Sequence, residues 1–137
     1  MKRRALGALT ALVATAGLVT AVSPASAETV NCQTYSANTG GGIRGLTKLV
    51  ICHNRNYVTQ LHARHDNYGD HAHTGSFRIA DNKGHAWQSS NVTIPPGESL
   101  QAQWTVNKNV DDTRFCAVWV RADGSFTPGY ACKVFDG

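Results

Sequence analysis

From residue 28 onward the chain is patterned in twos. In Leu100-Gln101-Ala102-Gln103-Trp104-Thr105-Val106-Asn107, Leu100, Ala102, Trp104 and Val106 fall on one face and the polar residues on the other. That alternation is the signature of a strand with one dry and one wet face. Residues 115–120, Phe-Cys-Ala-Val-Trp-Val, are apolar on both faces and read as a central strand covered on each side. Residues 46–52, 57–63, 77–79, 92–94 and 130–135 are further β-branched or apolar runs. Turn chemistry separates them. Asn38-Thr39-Gly40-Gly41-Gly42 reads as a flexible loop, Asp81-Asn82-Lys83-Gly84 as a hairpin turn, Pro95-Pro96-Gly97-Glu98 as a ladder stop and Asp123-Gly124 as a tight turn. No window carries the 3.6-residue period and caps of an amphipathic helix. The expectation is an all-β, antiparallel, immunoglobulin-like or related β-sandwich of about seven or eight strands.

The start of the chain is different. Lys2-Arg3-Arg4 precedes an uncharged run over residues 5–22, Ser23-Pro24 breaks it, and Ala25-Ser26-Ala27 supplies small residues. These are the three parts of a secretory signal peptide, with cleavage after Ala27. Residues 28–137 then form a single domain with no segment that spans a bilayer. Charge supports this division. The whole chain of 137 residues carries 13 Lys and Arg against 9 Asp and Glu, a net +4. Three of those cations lie in the leader and all nine acids lie after it, leaving ten against nine in the remainder. Such a balance removes the electrostatic footprint of a nucleic-acid binder.

All four cysteines, Cys32, Cys52, Cys116 and Cys132, follow the leader. An even number in an exported chain points to two disulfides. Of three possible pairings, Cys32–Cys52 and Cys116–Cys132 each close a short segment read as adjacent strands; the crossed pairings remain open at this level.

Six histidines lie within 33 positions: His53, His62, His65, His71, His73 and His85. The i, i+2 spacing of His71 and His73 places two imidazoles on one face of a strand, and His65 (or His62) would complete a zinc or copper site. A solvated polar loop around Asn67, Tyr68, Gly69 and Asp70 is the competing reading. Ala63-Arg64-His65-Asp66-Asn67-Tyr68-Gly69 resembles the Cys-Ala-Arg-His-Asp-Phe-Gly segment of exported microbial phospholipases A2. That resemblance implies a water-activating role for His65 and calcium binding at Asp66 on a helix; here His62 stands in place of the cysteine. No Gly-x-Ser-x-Gly elbow is present, and a chain with all cysteines oxidised has no thiolate nucleophile.

Aromatic residues point to binding. Trp104 belongs to a core face; Phe115 and Trp119 share a face with Arg121, which carries that face toward the surface at one end. Tyr68 and Trp87 lie among polar residues and suit stacking on a sugar or a protein. In size, export and cysteine count the chain resembles the small two-disulfide proteins secreted by actinomycetes, which include hydrolase inhibitors and adaptor subunits of toxin particles. The expected function is a secreted, non-catalytic protein-binding module. Its contact loops would be residues 40–42 and 65–74, with Tyr68, His71, His73 and Trp87 as contact residues. The alternatives are a carbohydrate- or cell-envelope-binding protein with antimicrobial effect, and a His/Asp-dependent phospholipase-like hydrolase.

Overall fold

The computed structural model describes residues 31–137 and, as backbone, the strand Leu18–Ala21. The rest of the expected leader, including the boundary after Ala27, lies outside the described residues. Ten strands form two antiparallel sheets, and no helix occurs among the described residues. The first sheet runs β1 (Leu18–Ala21), β8 (Ser99–Asn109), β4 (Tyr57–Asn67), β3 (Ile43–Asn54), β2 (Asn31–Gly40). The second runs β10 (Phe126–Phe135), β9 (Thr113–Arg121), β5 (His73–Asp81), β6 (Ala86–Gln88), and β7 (Val92–Ile94) also pairs with β5.

The expected sandwich is therefore present, with nine strands after residue 30. One sheet runs β1-β8-β4-β3 with β2 added outside β3, and the other runs β10-β9-β5-β6. Here β2, β3 and β4 form a meander in one sheet. Two expected boundaries also move. Asn38, Thr39 and Gly40 belong to β2 rather than to a loop, and only Gly41 and Gly42 make the turn. Strand β4 continues through His65, Asp66 and Asn67, where the polar side chains suggested a loop. Their burial, at 0%, 3% and 0% exposure, explains the extension: each is taken up by hydrogen bonds inside the fold.

Period-two alternation builds the core. Leu49 and Ile51 of β3, Leu61 and Ala63 of β4, Ala102 and Trp104 of β8 face Phe77 and Ile79 of β5, Phe115, Ala117 and Trp119 of β9, and Ala131 and Phe135 of β10. Each of the large side chains contributes roughly 1.5–3 kcal/mol by leaving water. Phe115 and Trp119 are fully enclosed, so their face does not surface; only Arg121 reaches the end of the sandwich, where it donates to the carbonyl of Gly41.

One flank of the sandwich is sealed. Edge strand β10 lies along edge strand β2. At the contact, a Cβ on Gly129 would run into the carbonyl oxygen of Asn38, and one on Gly40 would press on the Pro128 ring. The two disulfides, Cys32–Cys52 and Cys116–Cys132, join directly paired residues of β2/β3 and β9/β10. They fasten the two seam strands to their inner neighbours, and this connectivity is the one the short spacings favoured. Bridges of this kind form and persist in oxidising compartments. Among the described residues no helix is long and apolar enough to cross a membrane.

Candidate interaction face

The two outer faces differ in chemistry. On the meander sheet, Gln60, His62, Arg64 and Asp66 alternate outward along β4, beside Lys48 of β3 and Gln101 and Gln103 of β8. Asp66 accepts from Lys48 Nζ at 2.8 Å, from Arg64 Nε at 2.7 Å and from the Ser99 hydroxyl. Burial pushes this carboxyl up, yet the hydrogen bonds from Lys48, Ser99 and Arg64 outweigh it and hold its pKa at about 2. The face is polar and internally paired.

The outer face of the second sheet carries an apolar stripe with a polar rim. Cross-strand rows place Phe126 beside Val120 and Ser76, Tyr130 beside Val118, Arg78 and Gln88, Cys132 beside Cys116, Ala80 and Ala86, and Val134 beside Arg114. Phe126, Tyr130 and Val134 are 47%, 45% and 51% exposed, above a floor of buried Val118 and Val120. A bulge sets this spacing. Thr127, Pro128 and Gly129 together oppose Trp119, so Phe126 and Tyr130 fall in adjacent rows. Polar contacts hold the rim in place. The Arg78 guanidinium lies 5.3 Å from the centre of the Phe126 ring and donates to Gln88 Oε1 at 3.1 Å. Gln88 Nε2 in turn donates to Ser76 Oγ at 2.9 Å. These rows hold two cations, Arg78 and Arg114, and no carboxylate.

The residues singled out from sequence lie elsewhere. Tyr68, 60% exposed, His71 and His73 gather with the β2–β3 turn at one end, where Tyr68 N–H donates to the Arg44 carbonyl. Trp87 pairs with Ile79 toward the other end of β5, is partly buried and packs on the core near Phe115. Trp87 and Tyr68 therefore make no common platform.

Of the expected metal ligands, His65 and His73 meet, with His65 Nε2 and His73 Nδ1 2.8 Å apart. His71 lies in the exposed bend before β5, so the i, i+2 pair does not share a strand face. Among the described residues no group of three or more His, Cys, Asp or Glu is placed to hold a metal ion. His65 is enclosed, stacked on Trp119 with ring centres 4.5 Å apart and 3.4 Å from Thr39 Oγ1. Burial, and then the neighbouring His73, lower its pKa to about 4 against a weaker upward pull from Asp66. His65 and Asp66 are successive residues of a strand and face opposite ways, one into the core and one into the Lys48–Arg64–Ser99 cluster. The helical setting that the phospholipase resemblance implies is not formed here.

Sequence reasoning passed over Phe126, Tyr130, Val134 and Arg78. A signal existed: residues 115–120 are apolar at both parities, and in residues 130–135 Tyr130, Cys132 and Val134 share one parity while Ala131 and Phe135 share the other, yet only one parity can face a core.

Fold and face define a two-disulfide β-sandwich with one wet outer surface and one that carries an apolar stripe. Compared with protein-family models, with curated proteins and with solved structures, the chain gives no match in any of the three.

Proposed function

We propose that this chain is an exported, non-catalytic protein-binding module that engages its partner through the outer face of β10, β9 and β5. One observation carries the reading: Phe126, Tyr130 and Val134 stand in a row in solvent, with Arg78 locked over Phe126. Exposed aromatic residues beside an arginine held in place are the composition of an interface hot spot. The face is an extended sheet surface, which suits another protein rather than a small molecule. Two cations without a carboxylate call for a partner whose apolar patch is edged by Asp or Glu. Such a module serves as an adaptor subunit of a secreted complex or toxin particle, or as an inhibitor of a secreted hydrolase. Non-catalytic action is supported by the engagement of His65 and Asp66 in structural bonds. Export is supported by the leader pattern and by the two disulfides.

The test is affinity capture from the organism's own culture medium with the wild-type chain and with a Phe126→Ser/Tyr130→Ser variant. A co-eluting protein that the variant loses is the expected result. Equal retention by both, or no captured protein, overturns the reading.

A second reading has one specific support. Asn54, Arg55, Asn56, Tyr57 and Asn109 line a shallow recess at the end opposite Tyr68. Amides beside the half-exposed Tyr57 ring suit a sugar, so binding to chitin, cellulose or peptidoglycan that is lost in Tyr57→Ala would favour a carbohydrate function.

A further inference from the structure

A sandwich has four sheet edges, and exposed edges invite pairing with other chains. Three are managed within residues 31–137. The edges of β2 and β10 close on one another at the seam, and the far edge of the second sheet is broken into β6 and β7, of three residues each. The fourth edge belongs to β8, which is 11 residues long. From Ser99 to Val106 it contains no proline and no charge, and the devices that guard natural edges begin only at Asn107, whose φ of +52° marks a bulge, and at Lys108.

In the full chain one segment covers this edge. Leu18–Ala21 pairs antiparallel with β8, with Leu18 opposite Gln103, Val19 opposite Ala102, Thr20 opposite Gln101 and Ala21 opposite Leu100. All four covering residues lie inside the expected leader.

We propose that removal of the leader uncovers β8 and that the processed chain dimerises by antiparallel pairing of β8 with β8 of a second copy. The inference goes beyond the protein-binding reading and rests on its export step. A second copy is the favoured occupant for three reasons. The edge already accepts an uncharged strand in antiparallel sense. A two-fold pairing satisfies both vacated edges at once, and is the commonest closed symmetry. Finally, β8 is self-complementary. Leu100, Ala102, Trp104 and Val106 meet their counterparts on the inner side, where Leu100 and Val106 are only partly covered, and Gln101, Gln103 and Thr105 meet theirs outside with no like charges opposed. The two meander sheets become one continuous sheet, leaving both Phe126–Tyr130 faces free.

Sedimentation equilibrium tests this. The core described above and both disulfides lie within residues 31–137, so the processed chain is expected to keep its fold without β1. The full chain is expected to be a monomer; residues 28–137, and the full chain carrying Val19→Pro, are expected to be dimers. Gln101→Lys/Gln103→Lys in the processed chain should halve the apparent mass with an unchanged β-sheet spectrum. Mixing it with Gln101→Glu/Gln103→Glu should restore the dimer. Monomers for both the processed chain and Val19→Pro overturn the proposal, as does a dimer indifferent to the lysine pair. A monomer that binds a synthetic peptide of residues 15–24 also overturns it, leaving the edge to the leader strand. Mass spectrometry of the secreted N-terminus tests export separately, since Val19→Pro frees the edge without cleavage.

Discussion

Arg78 and Phe126 are 48 positions apart in sequence, yet the guanidinium of one lies over the ring of the other. Strand β9 stands between their strands and supplies the floor, Val118 and Val120, on which both rest. A cation held over a ring has already lost much of its rotamer freedom, so a partner meets a surface with less entropy left to lose.

Because Tyr130 and Val134 are half in solvent, their loss should separate binding from folding. Tyr130→Ala and Val134→Ala are expected to change unfolding free energy by no more than about 0.5 kcal/mol while weakening partner capture at least tenfold. Urea unfolding beside surface plasmon resonance with the captured partner checks this.

The buried His65 makes stability fall in mild acid. Its folded pKa of about 4 lies below the ordinary 6.5, so below that ordinary value the unfolded chain binds a proton that the folded chain refuses. Stability is full above about pH 6.5 and declines as pH drops toward 4. The loss is about 3 kcal/mol at most, because each tenfold difference in proton affinity between the two states is worth roughly 1.4 kcal/mol. His73, lowered mainly by burial and then by His71, adds a loss of the same sign. Asp66 acts in a separate window, its stabilisation fading as pH falls through its ordinary 3.8 toward 2. Urea midpoints measured between pH 7 and pH 4 should flatten in His65→Gln relative to the wild-type chain.

The seam depends on a missing side chain. Gly129→Ala forces β10 away from the Asn38 carbonyl and should cost several kcal/mol, about the size of a severe overpacking. Gly84→Ala, in an open turn at φ +90°, meets no atom and should cost only about 1 kcal/mol of backbone strain. Thermal denaturation of the two variants side by side gives the comparison.

Each disulfide closes a separation of 20 or 16 residues. Replacing either pair by serine should lower stability by roughly 3 kcal/mol in the chain-entropy account. Guanidinium midpoints of the two double variants, expected to be similar, measure it.

Much of the fold is local and was legible. Leu100, Ala102, Trp104 and Val106 announce their shared inner face by spacing alone, and the Gly84, Gly97 and Gly124 turns by composition. The His65-Asp66-Asn67 stretch misled, because polar residues read as a loop unless their buried partners are known. Of those partners, Ser99 and Ile94 are distant in sequence, Lys48 is on the hairpin strand β3, and His73 is eight residues on but in the other sheet.

The sequence by itself determined a strand-built, twice-bridged chain, because alternation and cysteine spacing act within a strand or between neighbours. Which apolar parity faces inward, which histidines touch, and which sheet edge β1 covers were decided only in three dimensions. Each depends on where a second sheet lies, and no stretch of chain carries that information within itself.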